Sequence, residues 1–289
     1  MSRASPELSG YCKYFLPHHC VLKEDSTTTK LRVVFDDSPT PDSGHSLNDV
    51  LMAGPIIQPK LFHILIRFRT YPVALTADIC KMYRCVRVTS ADSYFQCILW
   101  RDSPQKDIEI FNLDTVTYKT KSASFQSVRA MHQLAFDERD AFPIVSDAIK
   151  QDSYVDDLIS GANSIAEARK FARRLGYCLV KTSSFESGVP VTKKVVLFKG
   201  ADVEIHGHCD ASVEAYGACI YVVARSPLAT SRILCSKSRV APLKTLTVPK
   251  LELCGAKLLA SLMHEVKRTD IFVRQFYCWC DSSVVLDKR

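Results

Sequence analysis

The chain has 289 residues, with 38 Lys and Arg against 31 Asp and Glu, so its formal net charge is +7. Apolar residues make up 47% and charged residues 24%, which excludes wholesale disorder and allows two domains with hydrophobic cores. The apolar runs are far shorter than the roughly 20 residues of a membrane span, and the first residues lack the apolar stretch of a secretory signal. The sequence therefore predicts an intracellular protein of the cytoplasm or nucleus, neither secreted nor membrane-embedded.

The twelve cysteines are scattered along the chain without a CxxC pair, and the closest pair is Cys278 and Cys280. A structural zinc site needs two close pairs at defined spacing. Most of these cysteines lie inside apolar runs, so we predict reduced thiols that act as small core residues. The modest basic charge permits nucleic-acid binding without requiring it.

Polar residues dominate the first 30 positions, which predict loops. The predicted strands before residue 182 are a buried strand at 31–36, a buried strand at 73–78, β-rich runs at 94–100 and 109–118, and a strand–turn–strand at 153–161. The predicted helices of this part lie in the second half of 46–68, at 81–86, within 122–149 and at 164–175.

The composition and hydrophobic pattern of the sequence change after residue 181. Residues 182–194 have the composition of a linker. Beyond it the sequence predicts strands at 203–210, 216–224 and 232–240, an amphipathic helix at 247–268 and a last strand at 276–283. We therefore expect a domain at 1–198 and a second domain at 199–289.

Three acidic residues suggest a metal site in the first domain. Asp78 ends the strand at 73–78, and Asp156 and Asp157 occupy the turn of the predicted hairpin. Carboxylates are hard oxygen ligands, and acids at a strand end and a hairpin tip can hold two divalent ions for phosphoryl transfer. An isolated Asp-Asp pair at a turn is also compatible with a solvated turn, so the pair gains meaning from Asp78.

Several longer motifs occur in order along the chain. They are YFLPHHCVLKEDSTTTKLRVVFDDS, SLNDVLMAGPIIQ, ADICKMYRCV, FQCILWRD, TVTY, SYVDDLISGANS and SRVAPLKTLTVPKLELCGA. Through them the chain, from about Tyr14 to Leu286, resembles the pol polyprotein of Pao/BEL-type LTR retrotransposons. The resemblance implies an α+β protein, with a reverse-transcriptase fingers–palm domain followed by an incomplete RNase H-like α/β domain.

The resemblance also implies roles for individual residues of the polymerase domain. Asp78, Asp156 and Asp157 correspond to the metal-binding acids. Tyr83 falls at the position of an aromatic residue that excludes a ribose 2′-OH, and the alternative is an ordinary core aromatic. The resemblance implies that Lys30 and Arg32 contact the triphosphate and that Lys181 lies near the leaving pyrophosphate. Lys30 and Arg32 are equally compatible with solvated surface charges.

A second acidic set lies in the expected RNase H-like domain. Asp210 ends a predicted strand, Glu252 lies in the long helix, and Asp281 ends the last strand. An RNase H-like fold gathers acids from a strand, a helix and a strand around two Mg²⁺ ions that activate water against RNA. His206 and His208 share a strand face and could suggest a metal site, but no third soft ligand is suitably spaced, so we interpret them as ordinary strand residues.

The implied cofactor is Mg²⁺, with Mn²⁺ as an alternative, and the implied partners are an RNA template, a DNA primer, RNA–DNA hybrid and dNTPs. The resemblance also implies retroelement particles as a location of the protein, in addition to the cytoplasm or nucleus. The chain departs from the family in lacking a thumb between Lys181 and residue 203, in Lys119 and Ser124 where the family has glycine and proline, and in ending soon after Asp281. We therefore expect weak activity. The alternatives are a non-enzymatic nucleic-acid-binding remnant and a domesticated interaction protein.

Overall fold

The structure is a computed structural model that describes residues 1–4, 10, 12–25, 30–180, 186–187, 203–225, 230–244, 246–269, 271 and 273–286. The β-strands are β1 (Ser2–Arg3), β2 (His18–Leu22), β3 (Leu31–Phe35), β4 (Val73–Asp78), β5 (Cys97–Trp100), β6 (Glu109–Asn112), β7 (Ser153–Tyr154), β8 (Asp157–Ala162), β9 (Glu186–Ser187), β10 (Val203–Ala211), β11 (Ala215–Ala224), β12 (Thr230–Val240) and β13 (Gln275–Trp279). The α-helices are α1 (Leu47–Val50), α2 (Leu61–Thr70), α3 (Ser90–Ser93), α4 (Ala123–Asp137), α5 (Pro143–Asp152), α6 (Ile165–Val180), α7 (Val248–Lys267) and α8 (Ser283–Leu286), and a 3₁₀ turn spans Met82–Cys85. Within these described ranges no helix is both long and apolar enough to cross a membrane.

The chain divides into two compact units. The first comprises Met1–Gln58, Ile79–Lys150 and Leu175–Glu186. Its strands form a sheet in the order β1-β6-β5 and a separate β2–β3 hairpin. The buried core of this unit brings these two strand groups together through five apolar side chains, Leu16, Phe35, Leu47, Ile98 and Leu113.

The β2–β3 hairpin corrects two predictions. Loops were expected over the first 30 residues, but β2 pairs with β3 in an antiparallel ladder from His18–Phe35 to Leu22–Leu31. A buried strand was expected after residue 30, but Leu31 is 53% exposed and only Phe35 of β3 is buried. Backbone hydrogen bonds between two strands do not require apolar side chains, so an apolar pattern is a poor guide to such a ladder.

The second unit comprises Pro59–Asp78, Gln151–Arg174 and Ser187–Arg289. It contains β7, β8 and β4 in an antiparallel arrangement, and a four-stranded sheet in the order β12-β11-β10-β13. In the four-stranded sheet β10, β11 and β12 are antiparallel neighbours, whereas β13 runs parallel to β10. The expected boundary at residues 198 and 199 lies outside the described residues and stays a prediction, as does most of the expected linker.

Helix α7 covers one face of the four-stranded sheet. Its buried residues recur every three or four positions and form an apolar stripe: Leu251, Gly255, Leu258, Leu259, Leu262, Met263 and Val266. The stripe packs on inward-facing strand residues such as Ile205 and Ile220, both fully buried. At Gly207 the helix approaches so closely that a Cβ atom would lie 2.6 Å from the Leu259 side chain. A larger residue there would require the flexible ends of the Leu259 and Met263 side chains to move aside.

Helix α2 adds to the same core and is tied to α7 by charge. Ile66 is buried in the core, and Phe62 packs against it. Glu265 of α7 accepts a hydrogen bond from Lys60 Nζ at 2.8 Å and another from His63 Nε2 at 2.6 Å. These bonds, first the one from Lys60, lower the pKa of Glu265 to about 2.

Candidate functional site

Two of the predicted acids face each other across the β4–β8 pair. Asp78 and Asp157 are direct partners in the antiparallel register, each at the end of its strand. Directly opposed residues have Cβ atoms about 4.5–5.5 Å apart and lie on the same face of the sheet. Both residues are exposed. The structure therefore brings together one acid from each of the two predicted segments.

Asp156 lies in the tight turn beside this pair. Val155 and Asp156 connect β7 to β8. In this antiparallel pair Tyr154 of β7 is the partner of Asp157 of β8. Val155 has a φ of 56°, which is rare for a β-branched residue and marks local backbone strain. Although Asp157 is exposed, the atoms around it partly desolvate its carboxyl, and this desolvation raises its pKa; the adjacent Asp156 carboxylate raises it further. A cation beside the turn would relieve that repulsion.

An ion pair supports the hairpin from helix α2. Arg67 Nε donates to Oδ1 of Asp152 at 3.0 Å, and the Arg67 guanidinium also donates to the carbonyl of Gln151. The hydroxyl of Ser160 donates to Oδ2 of Asp152 at 2.7 Å. Asp152 is 5% exposed and directly precedes β7, so this bonded carboxylate fixes the base of the acidic hairpin.

The second acidic set begins at the carboxyl ends of two parallel strands. In the pairing of β10 with β13 the last partners are His208 and Trp279. Asp210 and Asp281 each lie two residues further along, and both are exposed. Because the strands are parallel neighbours, these two acids reach the same edge of the sheet.

Two contacts place Glu252 of α7 near the edge of the sheet that bears Asp210 and Asp281. The hydroxyl of Ser282, which is 6% exposed, donates a hydrogen bond to Oε2 of Glu252. One turn later in α7, a Cβ at Gly255 would lie 3.3 Å from the carbonyl oxygen of Asp210. The start of α7 therefore lies beside both strand ends, and Asp210, Glu252 and Asp281 occur at one end of the sheet.

The two histidines of β10 make contacts of their own. Nε2 of His206 donates to Glu204 at 3.1 Å, and Nδ1 accepts from the indole of Trp279 at 3.0 Å. The ring of His208 stacks on Trp279, with centroids 6.4 Å apart. Both nitrogens of His206 therefore have hydrogen-bond partners.

The donor chemistry of both acidic sets fits a hard divalent cation such as Mg²⁺. Across the described part of the chain, however, no three His, Cys, Asp or Glu side chains are grouped so that they could hold a metal ion by themselves. Mg²⁺ is commonly bound by one or two carboxylates together with phosphate oxygens of the substrate. An ion held at either acidic set would therefore need oxygen ligands in addition to these side chains.

The predicted nucleotide contacts lie in the first unit, apart from Lys181, which lies outside the described residues. Lys30 precedes β3 and Arg32 lies within it, and both are exposed. Tyr83 is half-buried on the 3₁₀ turn. Their roles toward a nucleotide stay predictions.

Sequence reasoning missed the residues that support the acids. Arg67 bonds to Asp152, and Ser282 bonds to Glu252. Each of these hydrogen bonds joins residues that lie 30 or more positions apart in the sequence. A local pattern contains no signal for such pairings. The one available hint was that Ser282 directly follows the candidate acid Asp281.

Part of the chain matches a known protein family. Residues 180–282 match the model of the Pao retrotransposon-like RNaseH-like domain. The matched residues include all three acids of the second set. No curated protein matches the chain. The match supports a retrotransposon-derived protein with an RNase H-like domain and a function related to nucleic acid.

Proposed function

We propose that the RNase H-like domain hydrolyses the RNA strand of an RNA–DNA hybrid, with Asp210, Glu252 and Asp281 as its catalytic acids. The observation that carries the proposal is the meeting of Asp210 and Asp281 at the carboxyl ends of β10 and β13, with Glu252 held beside them by Ser282. Carboxylates at one edge of a sheet offer the hard oxygen ligands that divalent cations prefer. A phosphodiester substrate supplies the remaining oxygen ligands.

Each acid has a distinct part in this proposal. Asp210 and Asp281 bind the cations from adjacent strands, and Glu252 completes the site from the helix. Ser282 keeps the Glu252 carboxylate aimed at the strand ends. When bound, Mg²⁺ supplies activation of water and stabilises the charge that develops on the phosphate. Mn²⁺ is the proposed alternative ion.

A labelled RNA–DNA hybrid incubated with the full chain in Mg²⁺ tests the proposal. We expect slow cleavage of the RNA strand that falls at least tenfold in Asp210→Asn, because one charged ligand is lost. Asp107→Asn serves as the matched control, since Asp107 is exposed and belongs to the first unit. Hybrid binding without any cleavage would favour the non-enzymatic remnant, and cleavage unchanged in Asp210→Asn would refute the assigned site.

A second candidate function, RNA-directed DNA synthesis, is supported by the acidic hairpin. Asp78 lies opposite Asp157, with Asp156 in the adjoining turn, and two-metal phosphoryl transfer uses carboxylates as ligands. The proposed substrates are an RNA template, a DNA primer and dNTPs, and the roles of Tyr83, Lys30, Arg32 and Lys181 toward them stay what the sequence resemblance implies.

Incorporation of a single dNTP on a primed RNA template tests this second function. We expect weak incorporation in Mg²⁺ that is lost in Asp78→Asn and retained in Asp210→Asn, because the two variants alter different acidic sets. Asp107→Asn again controls for loss of a surface carboxylate. Incorporation that survives Asp78→Asn, or none with the unaltered chain, would contradict the proposal.

A further inference from the structure

Two cysteine side chains lie beside the acids at the carboxyl ends of β10 and β13. Cys209 directly precedes Asp210, and Cys280 directly precedes Asp281. The parallel register ends with His208 and Trp279, and Cys209 and Cys280 are the residues that directly follow this last pair. At the end of each strand, one thiol therefore directly precedes one acid in the sequence.

The two cysteines lie close to each other in the core. Cys209 Sγ donates to the carbonyl oxygen of Trp279, the residue directly before Cys280, at 3.8 Å. Cys209 is 8% exposed within the core beneath α7, and Cys280 packs against the same core while retaining more exposure. The surrounding apolar side chains hold both sulfur atoms in place.

The geometry suits a covalent link. Neighbouring strands lie about 4.8 Å apart, which is inside the range of roughly 4.4–6.8 Å between the Cα atoms of bonded cysteines. We propose that Cys209 and Cys280 form a reversible disulfide when the protein meets a peroxide, and that this bond joins the strand ends bearing Asp210 and Asp281. The bond is a modification site independent of the proposed nuclease function.

The chemistry proceeds in two balanced steps. The more exposed Cys280 sulfur attacks the peroxide O–O bond, which breaks to give a sulfenic acid and one molecule of water from hydrogen peroxide. The Cys209 sulfur then attacks the sulfenic sulfur, forming the S–S bond and releasing a second water. Two thiols are oxidised and one peroxide is reduced, and a thiol reductant reverses the change by exchange.

Peptide mapping of the full-length protein after treatment with hydrogen peroxide tests the proposal. Trypsin cuts after Lys199, Arg225, Arg274 and Lys288, so the bond joins peptides 200–225 and 275–288, with loss of two hydrogen atoms. Each peptide has a second cysteine, Cys219 in the first and Cys278 in the other, and these provide matched controls. Cys219 is paired with His208, and Cys278 with Gly207, so neither lies opposite the other.

We expect the joined peptides in the unaltered protein, in Cys219→Ala and in Cys278→Ala, and their loss in Cys209→Ala and Cys280→Ala. Oxidation should also raise the melting temperature of the unaltered protein by roughly 5 °C, because the bond closes a long loop of the unfolded chain. A thiol reductant should reverse this shift. Absence of joined peptides in the oxidised protein, or their survival in Cys280→Ala, would overturn the proposal.

Discussion

Replacing Lys119 with glycine is expected to stabilise the protein. Lys119 has a φ of 74°, and the turn of which it is the third residue is closed by a bond from Thr120 N to the Thr117 carbonyl. A side chain with a Cβ is disfavoured in this left-handed region, whereas glycine adopts it without strain. The family resemblance also indicates glycine here, so the lysine replaces a residue that suits the backbone.

The size of the effect follows from two opposing contributions. Relief of left-handed strain contributes about 1–2 kcal/mol, and the greater freedom of glycine in the unfolded chain costs about 0.5–1 kcal/mol. Burial raises the pKa of Asp37, the nearby Lys119 charge opposes that shift, and this attraction is lost as well. The net gain is therefore about 0.5–1 kcal/mol, equivalent to a melting-temperature increase of roughly 1–4 °C.

Urea unfolding of three full-length proteins separates these contributions. Lys119→Ala removes the charge but keeps a Cβ at the strained φ, so it should lack the gain. Lys121→Gly, at an exposed neighbour whose φ is not positive, should be destabilised by about 0.5–1 kcal/mol. If Lys119→Gly is no more stable than Lys119→Ala, the strain at this turn does not contribute to stability and the reasoning is wrong.

Three further predictions concern buried or paired groups. Asp37 is 5% exposed, its Oδ2 has no hydrogen-bond partner among the described residues, and burial raises its pKa. Asp37→Asn should therefore stabilise the folded protein by about 1 kcal/mol at pH 8, where Asp37 is charged, and by less at pH 4. Thermal unfolding at the two pH values measures this difference. The pKa of Glu265 is lowered to about 2 chiefly by Lys60, so its contribution is complete above about pH 4.5 and is lost as the pH falls toward 2. Glu265→Gln should cost about 1 kcal/mol at pH 7, and a cost that does not shrink by pH 3 would contradict this assignment. Ser282→Ala should raise the Mg²⁺ concentration for half-maximal hybrid cleavage roughly tenfold by releasing Glu252, and Ser282→Thr should restore it; an unchanged Mg²⁺ dependence would exclude a positioning role.

The fold could be predicted where each element shows its own pattern. The strands expected at 203–210, 216–224 and 232–240 are observed as β10, β11 and β12, and the helix expected at 247–268 is observed as α7. Their residues alternate between a buried and an exposed face, or repeat every three to four positions, because one face packs on the core. The short ladder of β2 lacks such a pattern and was missed.

The candidate site was predictable only in part, for the same physical reason. Asp78, Asp157, Asp210 and Asp281 stand out in the sequence because acids at the ends of apolar strands are unusual. The groups that hold them are paired through the tertiary fold, as Arg67 with Asp152 shows. Such pairings depend on how distant elements pack and leave no local pattern.

Iron-mediated cleavage of the protein backbone tests the central claim, that the second acidic set binds a divalent metal. Fe²⁺ replaces Mg²⁺ at oxygen-rich sites, and in ascorbate and air it generates radicals that cut the nearest backbone. In the full-length protein with bound RNA–DNA hybrid, we predict cuts near Asp210, Glu252 and Asp281 that excess Mg²⁺ suppresses. The cuts should disappear in Asp210→Asn and persist in Asp107→Asn. Cuts confined to other parts of the chain, or undiminished in Asp210→Asn, would contradict the account.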